Sequence, residues 1–228
     1  MTKRSYLLAV TVLVTCDDSM GPPPAPPLPT SLQSTVNNPF FPLPLGRTKI
    51  FHRQTPGGLE VDSVTVFFLQ KTVNGFAATE VHDRRYVAGA LTEDSFAWFA
   101  QDGDRNVWYL GKETTQYHQG VPVSTAGTWQ WGVHDALPGI IMWGDPSGSM
   151  NKLYRQGFDR GNTQDVGKIV ALNETVTVPY ATFTGCIKTE EWSTLESAPH
   201  VNKYYCPQIG AALEVLSGDR AELVTVGP

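Results

Sequence analysis

The chain has 228 residues, of which 41% are hydrophobic, 11% aromatic and only 17% charged, with 21 Gly and 17 Pro. That is enough apolar material for one substantial core, and the balance of turn formers and aromatics favours a β protein over a helical one. A formal net charge of −5 argues against nucleic acid as a partner, because phosphate binding needs a basic patch.

Met1-Thr-Lys-Arg-Ser5 is a short basic start, followed by the apolar run Tyr6-Leu-Leu-Ala-Val-Thr-Val-Leu-Val14. The run is too short to cross a bilayer, which takes about 20 residues, and it fits the apolar core of an export signal. Leu13-Val-Thr-Cys16 resembles the lipobox of bacterial lipoproteins, in which the cysteine becomes the first mature residue and carries the lipid; Thr15 departs from the Gly, Ala or Ser usual there. The alternative is an ordinary secretory signal cleaved nearby. Residues 1–16 are thus read as a lipoprotein-type signal ending at Cys16. Residues 17–37, with Gly21-Pro-Pro-Pro-Ala-Pro-Pro-Leu-Pro29, read as a disordered tether in extended polyproline conformation. Residues 38–228 read as one β-rich domain, held on the extracytoplasmic side of a membrane.

From Asn38-Pro-Phe-Phe-Pro-Leu43 onward large apolar residues appear, and β-favouring runs alternate with turn signals. Arg47–Arg53 and Val61–Leu69 flank the turn at Gln54-Thr-Pro-Gly-Gly58, and Asn74-Gly75 is a strong hairpin dipeptide. Ser95–Gln101 and Val107–Glu113 flank Asp102-Gly-Asp-Arg-Asn106 as a central hairpin. A Trp-rich, loop-like middle follows, and residues 151–226 return to short strands ending in the hairpin at Ser217-Gly-Asp219. No βαβ spacing and no long helical period occur. The expectation is an all-β, mainly antiparallel protein of about ten strands, built as a single strongly curved or half-barrel sheet.

Asp102, Asp104 and Asn106 alternate, and Glu113 stands eleven residues after the first, which is the oxygen-ligand spacing of an EF-hand calcium loop. Val107 replaces the sharp-turn glycine, Arg105 puts a cation inside the loop, and the flanks are strands. A plain turn in which Asp and Asn bond nearby amides explains the same residues. Trp108, Trp129, Trp131 and Trp143 cluster in the middle third, where indoles either cover the open end of a core or line a ligand pocket. Cys186 and Cys206 sit in neighbouring predicted strands and are expected to form a disulfide closing a loop of about 20 residues. The five histidines show no zinc spacing; a hydrolase site would have to be assembled from distant pairs such as His82-Asp83 with His118, or His134-Asp135. The adjacent acids Glu93-Asp94 and Glu190-Glu191 must point to opposite faces of their strands.

Val178-Pro-Tyr-Ala-Thr-Phe-Thr-Gly-Cys-Ile-Lys-Thr189 followed by Lys203-Tyr-Tyr-Cys-Pro-Gln-Ile-Gly210 resembles a recurring pair in exported bacterial β proteins, together with Asn38-Pro-Phe-Phe-Pro-Leu43 and Phe99–Gly111. The resemblance is to an uncharacterised family of secreted or lipid-anchored β-rich proteins, from which this chain departs at Cys206 and Gln208. It implies a curved sheet of the lipoprotein-carrier kind and no particular activity. The functional expectation is a membrane-anchored, non-enzymatic envelope lipoprotein that binds a hydrophobic or amphipathic ligand, or another envelope component, on its Trp-rich side. The alternatives are a secreted hydrolase and a calcium-stabilised interaction module.

Overall fold

The computed structural model describes residues 23–195 and 199–228; residues 1–22, with Cys16 and the signal, lie outside them. Fourteen strands follow one another: β1 (Thr48–Thr55), β2 (Gly58–Val73), β3 (Phe76–Val87), β4 (Ala90–Gln101), β5 (Val107–His118), β6 (Val121–Ser124) and β7 (Trp129–Gln130). The second half supplies β8 (Leu137–Met142), β9 (Leu153–Asp159), β10 (Thr163–Thr177), β11 (Thr182–Ser193), β12 (Val201–Cys206), β13 (Gly210–Leu216) and β14 (Asp219–Gly227).

Every strand pair is antiparallel, and β1 pairs with β14, so the sheet closes on itself as a barrel of twelve strands. The counts reconcile because β6, β7 and β8 lie end to end along one edge of β5 and act as one interrupted strand. Gln116–His118 face β6, Gly111 and Lys112 face β7, and Val107–Tyr109 face β8. The interruption needs Gly111: a Cβ there would sit 2.5 Å from the Trp129 carbonyl oxygen, and φ is +143°. The sequence reading stopped at a half-barrel because closure depends on a pairing between the first and last strands, which no local signal announces. Closure leaves only the short strands β6 and β7 with an unpaired edge among the described residues.

Successive hairpins divide the turns between two rims. One carries the turns at Pro56-Gly57, Ala88-Gly89, Gln119-Gly120 and Ser217-Gly218; the other carries Asn74-Gly75, Asp102–Asn106 and Pro207–Ile209. The second, lower rim is closed by residues 33–47. Gln33 exchanges both backbone hydrogen bonds with Gln101 (2.9 Å each), Gln208 N–H reaches the Pro39 carbonyl at 2.8 Å, and Gly46 N–H donates to Val66 at 2.8 Å. The segment therefore crosses from β4 to the β12–β13 turn and back to β2. Residues 33–37, the last of the expected tether, are docked here: Val36 is 4% exposed and packs with Phe40, Phe41 and Leu43 against Phe99 and Tyr205.

The fastening is polar and buried. Asn38 is fully buried; its amide donates to the carbonyls of Arg105 (2.9 Å) and Trp143 (3.0 Å). Gln101, 1% exposed, accepts from the backbone N–H groups of Asn37 and Asn38 and donates to the Asn37 side chain. Cys186 and Cys206 are joined by a disulfide between β11 and β12, one step along from the Ile187–Tyr205 pair of that ladder.

Candidate functional site

Inside the barrel lies a cavity of about 390 Å³, within the size range of small-molecule sites. Strand alternation lines it with one side chain in two, and the chemistry changes along the barrel axis. On β4 the successive inward residues are Glu93, Ser95, Ala97 and Phe99, running from upper to lower rim. The same step occurs from Arg53 to Phe51 on β1, Asp62 to Val64 on β2, and Lys203 to Tyr205 on β12. The lower half is apolar, with Phe41 of the N-terminal segment forming its floor 5.2 Å from the Phe99 ring.

The upper half is a ring of charges. Arg53 lies between Glu214 (2.6 Å) and Glu60 (3.6 Å), Lys203 between Glu191 (3.1 Å) and Glu214 (3.8 Å), and Arg85 between Glu93 (3.7 Å) and Glu60 (4.0 Å). Glu191 also accepts from Thr189 (2.7 Å) and the Tyr205 hydroxyl (3.0 Å). Lys203 and Glu214 keep 31% and 33% of their side-chain surface accessible although protein surrounds them, because they face the hollow.

Three carboxyls of the ring, Asp62, Asp83 and Asp165, make no ion pair among the described residues. Burial, and after it the facing Asp83 carboxyl, pushes Asp62 up to about 9. Burial likewise raises Asp165, against the pull of Lys112 and Lys203. Burial alone would lower Lys203, but Glu191 and Glu214 outweigh it and hold the ammonium charged well above its ordinary range. Lys203 and Arg53 in turn keep Glu214 below the usual carboxylate range despite its burial. Arg53 Nε, Arg85 Nε, Asp62 Oδ1, Gln156 Nε2 and the Tyr154 hydroxyl are buried with no hydrogen-bond partner among the described residues. Gly167 makes room for the last two: a Cβ there would lie 2.8 Å from Tyr154 Cζ and 2.9 Å from Gln156 Nε2.

The sequence-selected residues lie elsewhere. None of the four tryptophans lines the cavity. Trp108 and Trp131 are buried in a second apolar cluster with Trp98 and Leu110, against which Leu32 and Trp143 pack. Trp129 meets the Tyr109 ring edge-on at 5.2 Å. In the Asp102 turn, Oδ1 accepts from the N–H groups of Asp104 and Asn106, and Oδ2 from the Asn106 amide and Trp108 Nε1. All four bonds serve the turn itself, Asn106 Oδ1 is taken by Gly144 N–H, and Glu113 is exposed further along β5. Among the described residues no group of three or more His, Cys, Asp or Glu side chains converges to hold a metal ion.

His82 stacks on Phe96 at 4.3 Å and bonds Asp94 at 2.6 Å, while its neighbour Asp83 faces the lumen. His118 and His134 are exposed, and neither makes a side-chain hydrogen bond or ion pair among the described residues. The expected splitting of adjacent acids is present: Glu93 and Glu191 enter the lumen, whereas Asp94 pairs with His82 and Glu190 with Lys168 (2.9 Å) and His200 (2.9 Å). Apart from Asp83, Glu93 and Glu191, the luminal charges went unselected because each looks like an ordinary strand charge until register places it on the inner face. The usable signal is the repetition of buried-parity charges near the same rim.

No family model matches the chain, and no curated protein matches it either. A solved structure of a candidate lipoprotein from Parabacteroides distasonis aligns with 82% of this chain and 98% of its own, at 13% identity and a TM-score of 0.38. A likeness of that size assigns no residue a role.

Proposed function

We propose that the protein is a lipid-tethered binding protein of the bacterial envelope that encloses a small amphipathic molecule in its barrel, apolar part on the Phe41 floor and polar part among the charges. One observation carries the binding half of this reading: a 390 Å³ hollow whose lining changes from aromatic to charged along its length. A protein interior is otherwise filled to crystal-like density, and a hollow that size with unpartnered polar atoms on its wall is built for an occupant. The anchoring half rests on residues 1–16 and the lipobox-like Cys16. The barrel works in water rather than within a bilayer, because its outer wall carries His82–Asp94, Lys168–Glu190 and Arg220–Glu222 pairs where a membrane barrel has an apolar belt.

The binding test uses the full chain with Cys16→Ser, which needs no detergent, titrated with the neutral fluorophore N-phenyl-1-naphthylamine. Saturable one-to-one enhancement is expected, and Ala97→Trp, which fills the hollow, should abolish it. Absence of saturable binding, or undiminished binding in the Ala97→Trp protein, rejects the luminal site. For the anchor, the wild-type chain should fractionate with membranes and its Cys16→Ser variant should not.

A further inference from the structure

We propose that the upper lumen seats an organic cation, a primary ammonium group carried by the amphipathic ligand, held by the Asp62–Asp83 pair of carboxyls with Gln156 and Asp165 facing the same space. This deepens the luminal-binding reading and rests on it. The first argument is charge. The cations Arg53, Arg85 and Lys203 are each already engaged by two carboxylates, and Lys112 faces Asp165. Among the described residues Arg53 Nε and Arg85 Nε make no hydrogen bond, but each guanidinium already has two carboxylates within 4.0 Å, so the charge left for a ligand to balance is negative. The carboxyls outnumber the cations, and Asp62, whose direct partner in the β2–β3 ladder is Arg85, also meets the Asp83 carboxyl diagonally; the two acids must share a proton or a cation to coexist in a site of low polarity.

The second argument is the unpartnered wall. Among the described residues Asp62 Oδ1 is buried with no donor beyond the proton that the acid can share with Asp83. Gln156 is 4% exposed, lines the cavity and has an amide nitrogen with no partner; such an amide can equally turn its oxygen toward an N–H donor. A primary ammonium carries three donors in tetrahedral array, which suits several acceptors converging from different strands. The third argument is separation. The aromatic floor of Phe41, Phe99 and Tyr109 begins immediately below the charges, so a single molecule with an alkyl or aryl body spans both halves. Among the described residues no group of three or more metal-ligating side chains competes for the position.

The test is displacement of N-phenyl-1-naphthylamine from the Cys16→Ser chain at pH 7 by three isosteric probes: n-hexylammonium, 1-hexanol and hexanoate. Hexylammonium should compete at a concentration at least tenfold below that of hexanol, and hexanoate should compete least. The double variant Asp62→Asn/Asp83→Asn should lose the ammonium advantage while hexanol competes unchanged. Asp165→Asn, a single change further along the wall, should reduce the advantage without removing it. Equal competition by the three probes, a preference for hexanoate, or an ammonium advantage that survives the double variant overturns the cation seat and leaves the luminal reading standing. Failure of the naphthylamine itself to bind overturns both.

Discussion

The two halves of the barrel solve the same packing problem in opposite ways. At the lower rim the N-terminal segment brings Val36, Phe40, Phe41 and Leu43 into the interior, and the polar groups that enter with it, Asn38 and Gln101, are satisfied on almost every atom. At the upper rim no segment enters among the described residues. Charged side chains from seven or more strands meet over a hollow, and several of their atoms have no partner. The difference separates two kinds of buried polarity: an amide whose bonds are all made specifies one conformation, whereas a carboxyl left without a partner is an energetic liability that a bound group can relieve.

The largest expected effect is at the closed end. Gln101→Leu removes the acceptor of the buried Asn38 N–H and of the Asn37 N–H and the donor to the Asn37 side chain, leaving the Asn38 N–H dry and unmatched; the loss should be about 3 kcal/mol in urea unfolding, with the Asn38→Ala change close behind. A loss below about 0.5 kcal/mol would mean that the 33–47 segment is not fastened as described. Next comes the disulfide. Cys186→Ala with Cys206→Ala frees a link spanning 20 residues, worth about 3 kcal/mol in chain-entropy terms, and a reductant should lower the wild-type melting temperature while leaving the double variant unmoved. Smaller again, Asp102→Ala strips four donors of their acceptor at the β4–β5 turn and should cost about 2 kcal/mol. The pattern to look for is that all three lower-rim polar changes destabilise.

That contrast was only partly legible in the chain. Strand runs, the Asn74-Gly75 and Ser217-Gly218 hairpins and the cysteine pair were readable because each is a local signal between neighbours in sequence. The opposition of Glu93 to Asp94 and of Glu190 to Glu191 was readable from the pleat alone. Barrel closure was not, since β1 meets β14 across most of the chain, nor was the role of Asn38, whose partners Arg105 and Trp143 lie 67 and 105 residues away. The tryptophans pointed away from the luminal cavity for a physical reason. Large indoles are placed where much apolar area must be covered, and here that is the Trp98–Leu110 cluster rather than the cavity. The luminal ring is written in charged side chains at alternate strand positions, whose common facing emerges only once register is known.

The smallest of these stability effects has the opposite sign, and it sharpens the comparison most. Asp62 is lifted to about 9, first by burial and then by Asp83, while an aspartate in the unfolded chain titrates near 4. Between those values the folded protein holds a proton that the unfolded chain has released, so stability must fall as pH rises from about 4 to about 9. The groups facing Asp62 are Asp83 and Arg85 on β3 and Glu214 on β13; only Arg85 opposes the shift. Asp62→Asn keeps the shape and removes the titration, so it should flatten the decline and leave the variant more stable than the wild type at pH 8 yet equal to it at pH 4. Water admitted to the hollow screens these carboxyls, which limits the gain at pH 8 to about 1 kcal/mol rather than the full linkage value. Urea midpoints at pH 4, 6, 8 and 9 on both proteins decide it. A removal of polar charge that stabilises at the upper rim, set against removals that destabilise at the lower, is what a site held ready for a cation requires; equal slopes in the two proteins would show that Asp62 carries no proton and that the upper lumen is already neutralised by its own arginines and lysines.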